Sequence, residues 1–480
     1  PGVTREARER ARVVGELGGR LSGLSIPRQV GILAIWPLLE QILGFVVGTV
    51  DLVLATRMSV GLDRVAILDA LGLGLYVVWL MMLVQGAVGT GVMALISRAA
   101  GARNQEEATE GLSQGLLAGL VTGLAACLVI RLLIGPIVGS FGLSEAASQH
   151  ARAYLSVLVY ICPIIGIMLA ATHALRAIGD TRSPFLAMLL VNAVNVASTC
   201  LFVFGPEPFG NMGVRGLALG TVLGWASGLI LVLWMLWRMK AGGGDGVGLS
   251  LRACRFRPHW PIIRRIARIG IPQGAEMFGM WLIHSVTLNY ISRLAITGAM
   301  GAHVIAIRVE SLSFLPGFAI GTAGATLVGQ YLGAGNPDKA AQAVRWCWGL
   351  AAGFMGLIGL SFLIWPEEIV RLILPSTDAD AEAVVRVATP LVVLCGVVQP
   401  ILATCMVMKI TLRGAGATRT VMLGSFSTMI LFRVLMVSLA VHYFDASLRG
   451  IWILMFCDIT LQAVIFTWIH YRGNWKNTVV

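Results

Sequence analysis

Twelve times along this chain, some twenty or more residues pass with little or no charge. The runs are 30–54, 66–97, 112–138, 154–174, 184–205 and 213–237, then 269–293, 304–329, 344–366, 384–408, 420–443 and 448–469. A hydrocarbon core ~30 Å thick is crossed by about 20 residues of α-helix. A helix also meets its backbone hydrogen bonds internally where water is missing. The runs therefore predict an all-α integral membrane protein with 12 transmembrane helices. Only 12% of the residues are charged, against about 25% in a soluble domain, so a length of 480 residues does not translate into two or three soluble domains.

The formal net charge of +12 raises nucleic acid as a partner, and its distribution argues against one. Of the 36 lysines and arginines, 25 fall in segments on one side of the runs, including Arg98, Arg103, Arg176, Arg182 and eight between Arg238 and Arg268. Basic residues in short loops mark the cytoplasmic face. Both termini are expected there, in a plasma (inner) membrane, while the outer connector PEEIVRLILPSTDADAE is acidic. The first 28 residues lack the apolar core of a signal peptide. They read either as a basic amphipathic helix on the inner leaflet or as a disordered tail. The eight cysteines include no CxxC pair, which speaks for neither a disulfide framework nor a zinc site.

The chain also repeats itself. SRAAGARNQEEA from Ser97 and GQYLGAGNPDKA from Gly329 match at Gly101/Gly333, Ala102/Ala334, Asn104/Asn336 and Ala108/Ala340, an offset of 232. LRAIGDTR at 175–182 pairs with LRGAGATR at 412–419, an offset of 237, and Pro37 pairs with Pro272. Six helices per copy is an even number, so both copies enter from the same side as parallel repeats, an architecture of transporters. The expected organisation is a cytoplasmic tail (1–29), a first lobe of helices one to six (30–240), a cytoplasmic linker (241–268) and a second lobe with a short cytoplasmic tail (269–480).

Across residues 30–470 the chain resembles the multidrug and toxic compound extrusion (MATE) family. The resemblance is carried by GTVDLVLA, RAAGARNQEEA, LRAIGDTRSP and VNAVNV in the first half, and by GIPQGAE, RVESLSFLPGF and LVGQYLGAGNPDKA in the second. It implies a V-shaped pair of six-helix lobes that export organic cations against an inward proton or sodium gradient.

Ionisable groups inside a membrane are functional candidates by default. Asp51 lies in the first run, and Glu40, eleven residues earlier, falls on nearly the same helix face. The resemblance implies a first-lobe cation site of Asp51 with Asn195 and Thr221. Thr199 stands where sodium-binding members carry a second acid. One carboxylate among neutral oxygens is a weak site for a hard cation and suits a single desolvated carboxyl that exchanges a proton. Protons are the expected coupling ion, with sodium as the alternative, and no cofactor is expected. Glu276, Glu310 and Gln399 are the candidates for substrate contact or coupling in the second lobe. Many family members carry their helix-seven acid a further turn from the proline, and Gln399 is the polar residue nearest the position of an absent helix-ten acid. Arg433 and Asp458 are expected to satisfy each other as a buried structural pair. His173 and His284 read as core residues.

Gly115, Gly119 and Gly123, and Gly349 with Gly353, have the spacing of close helix packing. No strand precedes these glycines and no Lys-Ser/Thr follows, so a phosphate loop is excluded. The leading expectation is a monomeric antiporter that exports small organic compounds, with 19 methionines supplying an adaptable wall. A flippase for lipid-linked precursors is the alternative from a related fold; it calls for several basic residues in its cavity, whereas acids dominate the intramembrane charges read here. An enzyme calls for clustered histidines, paired aspartates or an activated nucleophile, and none is found.

Overall fold

The computed structural model describes residues 16–57, 62–206, 208, 210–242, 246–294, 296, 298–374, 379–444, 446–478 and 480. The side chains of 47–49, 51–53, 55, 56, 62, 379 and 380 lie outside that description. In the first half, α1 is Ile26–Thr56, α2 Leu62–Gly101, α3 Gln105–Ser140, α4 Glu145–Leu158, α5 Ile161–Ala177, α6 Arg182–Phe204 and α7 Gly213–Arg238. The second half has α8 Trp260–Ser292, α9 Ala299–Ser313, α10 Leu315–Gly333, α11 Pro337–Ile364, α12 Pro366–Ile373 and α13 Ala379–Gly414. It ends with α14 Thr418–Met429, α15 Val437–Tyr443 and α16 Leu448–Arg472. Among the described residues the regular structure is all helical.

Nine of the described helical segments are individually long and apolar enough to cross a membrane. Two further spans are broken, α4–α5 by 49° and α9–α10 by 44°. Each second piece carries a proline near its start, Pro163 and Pro316, where the missing N–H costs a new helix little. The twelfth span is α8, diluted by Gln273, Glu276, His284 and Asn289. The helices keep apolar side chains outside as well as inside: Leu132, Ile230, Ile271 and Leu357 are 66–70% exposed. A water-soluble surface does not carry such a face. This is a multi-pass membrane protein.

The chain forms two compact units. One comprises Leu17–Ser22 with Leu39–Gly274, the other Gly23–Leu38 with Ala275–Val480. The first unit is centred on α2, α4, α5 and α7 through Leu73, Leu155, Ile161 and Leu217. The second is centred on α9, α13 and α16 through Val309, Leu391, Trp452 and Phe456.

The repeated motifs fold as repeated turns. After α2, Asn104 N–H donates to the Ala99 carbonyl at 2.8 Å; after α10, Asn336 N–H donates to Tyr331 at the same distance. Each asparagine then caps the next helix, Oδ1 accepting at 3.1 Å from the N–H of Glu107 or Lys339. Such caps satisfy backbone donors that a helix start leaves open. Arg103 (φ 57°) and Gly335 (φ 72°) take the left-handed position of the turn. In the second motif Gly179 and Gly416 have φ of 88° and 86°. Their N–H groups donate to Arg176 and Arg413, each at 2.9 Å.

The first part of the inter-repeat linker is held against the first unit. Gln105 exchanges hydrogen bonds with Gly248. Gln114 donates to the Arg257 carbonyl (2.9 Å) and accepts from the His259 N–H (3.1 Å). Helix α8 begins at Trp260, earlier than the apolar run from 269, and Arg265 pairs with Glu107 at 2.6 Å.

Candidate functional site

In the first unit, α7 presents Gly216, Gly220, Gly224 and Gly228 at four-residue spacing to α6. A Cβ on Gly220 would overlap Thr199 Oγ1, one on Gly224 would lie 2.7 Å from the Val191 carbonyl, and one on Gly228 would overlap the Val191 side chain. The absence of side chains lets the two helices close, and this brings three of the candidate residues together. Asn195 Nδ2 donates to Thr221 Oγ1 at 3.2 Å, and Thr199 lies one turn along α6, 1% exposed. Asn195 Oδ1 and Thr199 Oγ1 are both buried without a hydrogen-bond partner among the described residues. Buried polar atoms are normally satisfied, so two neighbouring unpartnered oxygens are suited to a cation, a proton carrier or water. Asp51 belongs to the later part of α1, and its side chain lies outside the described residues.

Glu40, read from the sequence as a companion of Asp51 on one helix face, has its own partner. Both its oxygens accept from Arg176 Nη2 at 2.7 Å. The corresponding positions in the second unit are Glu276 and Arg413, 2.9 Å apart. Glu276 Oε1 also meets Lys409 Nζ at 3.0 Å and Ser425 Oγ at 2.8 Å, and the residue is 1% exposed. By sequence Lys409 and Arg413 belong to an inner loop. The structure corrects this: α13 continues to Gly414, and both side chains reach back to the acid. The preponderance of acids among intramembrane charges is thereby lost in the second unit.

The expected pair Arg433–Asp458 forms at 2.7 Å, with Asp458 fully buried. Its other oxygen accepts from Gln462 Nε2 at 2.7 Å, and Gln462 Oε1 accepts from Lys409 at 3.1 Å. Glu276 and Asp458 are thus joined into one polar network across α8, α13 and α16. Gln399 Nε2 donates to Ser313 Oγ at 2.7 Å, which places it one turn from Glu310 on α9. Glu310 is partly buried. His173, in contact with the Leu169 carbonyl at 2.8 Å, sits against Gly89 as a core residue.

The packing glycines divide. Gly119 lies directly against Gly166, Gly123 against Pro163 and Gly115 against Val92, as their spacing predicts, whereas no described residue lies within 4 Å of a Cβ at Gly349 or Gly353. Their spacing marks no contact among the described residues. The α7 stripe G-x3-G-x3-G-x3-G is the signal that sequence reading passed over.

A duplicated set of membrane-crossing helices with ion pairs and unpartnered oxygens between them defines a membrane transport protein built on a parallel repeat. The MatE family model matches twice, at residues 37–201 and 272–439, and the chain belongs to that family. The two matches start 235 residues apart, the spacing of Pro37 and Pro272. Among curated relatives, a probable multidrug resistance protein NorM of Thermotoga maritima is 28% identical over 86% of both chains. An FAD transporter of Shewanella oneidensis is 23% identical over 75% of both. A multidrug-resistance MATE transporter solved in an outward-facing conformation superposes over 100% of both chains with a TM-score of 0.84 at 19% identity, which fixes the fold.

Proposed function

We propose that this MATE family protein is a multidrug efflux transporter that exports organic, cationic compounds in exchange for protons, with sodium as the alternative coupling ion. The family match in both halves and the multidrug NorM relative support efflux. The same relatives do not favour lipid flipping. The observation that carries the coupling reading is the pair of buried oxygens, Asn195 Oδ1 and Thr199 Oγ1, that have no partner among the described residues, in the unit that also holds Asp51. These are neutral donors, too few in charge to hold a hard cation strongly. They suit a site in which Asp51 is the charged member and a proton neutralises it.

In this reading, an incoming cation at Asp51 lowers the affinity for the organic cation and favours its release outside. The ratio of affinities between the two states sets the largest shift a ligand can produce. Monomeric action in the inner membrane, with both termini cytoplasmic, belongs to the same proposal. The test is purified protein in liposomes with a fluorescent cationic substrate and an imposed gradient. Efflux driven by a proton gradient and indifferent to sodium is expected. Efflux driven by neither ion would refute antiport.

A further inference from the structure

We propose that the last turns of α7 and α16 are two equivalent binding sites for the phosphate of an anionic glycerophospholipid, one in each unit, and that the site on α7 is the stronger.

The last five residues of these helices are WMLWR (234–238) and WIHYR (468–472). They are offset by 234, inside the range of 232 to 237 set by the other repeated motifs. Each helix stops at its arginine. In each, the guanidinium lies over the tryptophan one turn earlier. Arg238 Cζ is 4.3 Å from the centroid of the Trp234 ring, and Arg472 Cζ is 3.9 Å from that of Trp468. Both are cation–π distances. The duplication has thus kept the same two side chains, and the contact between them, at both helix ends. A last-turn arginine suits the helix dipole by itself, but the dipole calls for no ring beneath it.

The rings lie where lipid meets water. Both α7 and α16 are membrane spans, and Trp234, Trp237 and Trp468, at their ends, are 45–52% exposed. An indole in that position sets its apolar body against acyl chains and its edge at the level of the headgroups. An arginine laid across it stands at the depth of the lipid phosphates. Arg238 and Arg472 are exposed and pair with no carboxylate among the described residues. Stacking occupies the flat face of a guanidinium and leaves its N–H edges for an acceptor. A phosphate accepts two such N–H groups side by side. Because the stack already restrains the side chain, binding costs less conformational entropy.

The α7 site has a second guanidinium. The linker turn Leu251–Ala253 packs against α7, held by the buried Leu249 and Ser250 that precede it. Arg252 Cζ is there 4.1 Å from the centroid of the Trp237 ring. Trp234 and Trp237 are three residues apart and so are neighbours on the helix surface, which sets Arg238 and Arg252 over adjacent rings. In α16 the matching aromatic is Tyr471, exposed and without a stacked cation among the described residues. Lys476, in the turn that follows, is spent on Asp338 at 3.2 Å. Two guanidinium groups facing one phosphate favour a headgroup of net negative charge. A choline or ethanolamine headgroup would bring an ammonium toward them.

The test uses the purified full chain in detergent, titrated with phosphatidylglycerol or with phosphatidylcholine of the same acyl chains and read by native mass spectrometry. Phosphatidylglycerol is expected to bind about fivefold more tightly or better. Arg252→Gln is expected to weaken the tighter binding event about fivefold, and Arg472→Gln the weaker one by a similar factor. Trp237→Leu keeps every charge and removes the ring under Arg252, with an expected loss of about twofold or more. Arg257→Gln removes the same charge from the cavity between α3 and the linker and is expected to change neither event. Thermal melts of all four are expected to match the wild type. If Trp237→Leu melts early, Arg252→Lys replaces it, since it keeps the charge and loses the flat fork, and a loss in the same direction is expected. Equal binding of the two lipids overturns the proposal. So does wild-type binding by the charge-preserving variant, or an equal loss from Arg257→Gln and Arg252→Gln. Displacement of the lipid by an equal concentration of inorganic phosphate would make free phosphate the ligand and overturn the lipid assignment.

Discussion

Arg413 lies 2.9 Å from Glu276 in the second unit, just as Arg176 lies 2.7 Å from Glu40 in the first. Each acid follows a helix proline by one turn, Pro37 or Pro272, and each arginine belongs to the repeated motif LRxxGxTR. The duplication thus preserves an ion pair as well as a turn. The copies then diverge, because Lys409 and Ser425 join Glu276, and no such additional partners of the Glu40 carboxylate are seen among the described residues. Glu276 therefore corresponds to Glu40 and not to Asp51.

The first prediction concerns stability. Glu276→Gln leaves Lys409 and Arg413 without their counter-charge and is expected to destabilise the protein by ~3–5 kcal/mol. The double variant Glu276→Gln/Arg413→Leu should recover part of the loss. Thermal unfolding in detergent measures both, and an unshifted midpoint for the single variant would show that the cluster is not held by charge.

Gly220→Ala places a methyl group on Thr199 Oγ1. Overpacking of this kind costs ~1–3 kcal/mol, and the separation of α6 and α7 is expected to lower transport as well. Gly349→Ala, where the added Cβ meets nothing, serves as the control. Equal melting temperatures for the two variants would refute the close packing.

The repeated turns should respond alike. Gly179→Ala and Gly416→Ala each force a Cβ into a left-handed conformation, φ 88° and 86°, at a cost of ~1–2 kcal/mol. Asn104→Ala and Asn336→Ala each remove a helix cap worth ~1 kcal/mol. Unequal losses within either pair, read by thermal melts, would contradict the structural equivalence of the repeats.

How far the sequence foretold this structure depends on the range of the interaction. The two turns were legible because they are local: a glycine at the left-handed position and an asparagine at the cap carry the geometry in their own chemistry. Arg103, in the place of Gly335, is the exception, a left-handed residue that composition does not announce. The twelve spans were legible from their apolar runs, but the breaks near Tyr160 and at Phe314 were not. Pro163 and Pro316 look the same in a kinked helix as in a broken one. The pair Glu40–Arg176 joins residues 136 apart, beyond any helical periodicity, and nothing in ILFRVLM distinguishes the π-helical segment formed at Ile430–Met436 from an α-helix. Of the first-unit site, the grouping of Asn195, Thr199 and Thr221 followed from family resemblance; the glycine stripe that builds it was present in the sequence and unread.

Outside the membrane, Cys254 in the linker has its thiol pushed up to about 11 by burial, near the carbonyls of Ser250 and Thr109. Below pH 9 it is held as the neutral thiol, and alkylation needs the thiolate. Mapped by mass spectrometry, labelling of Cys254 is expected to be slow at pH 8 and to rise steeply toward pH 11. Gln114→Ala, which removes the hydrogen bonds to Arg257 and His259, should bring labelling to lower pH. The folded state retains this proton longer than an unfolded chain, so the thiol's contribution to stability is present below about pH 8.5 and is lost as pH rises through 11. Rapid labelling of the wild type at pH 8 would show that the linker is not held.

The most direct test of the account is gradient-driven transport by Asp51→Asn. The substitution preserves shape and removes the one charge assigned to the first-unit site. With its thermal melt intact, the reconstituted variant is predicted to lose proton-driven efflux of a fluorescent organic cation. Wild-type gradient-driven efflux by the folded Asp51→Asn protein would contradict the central claim.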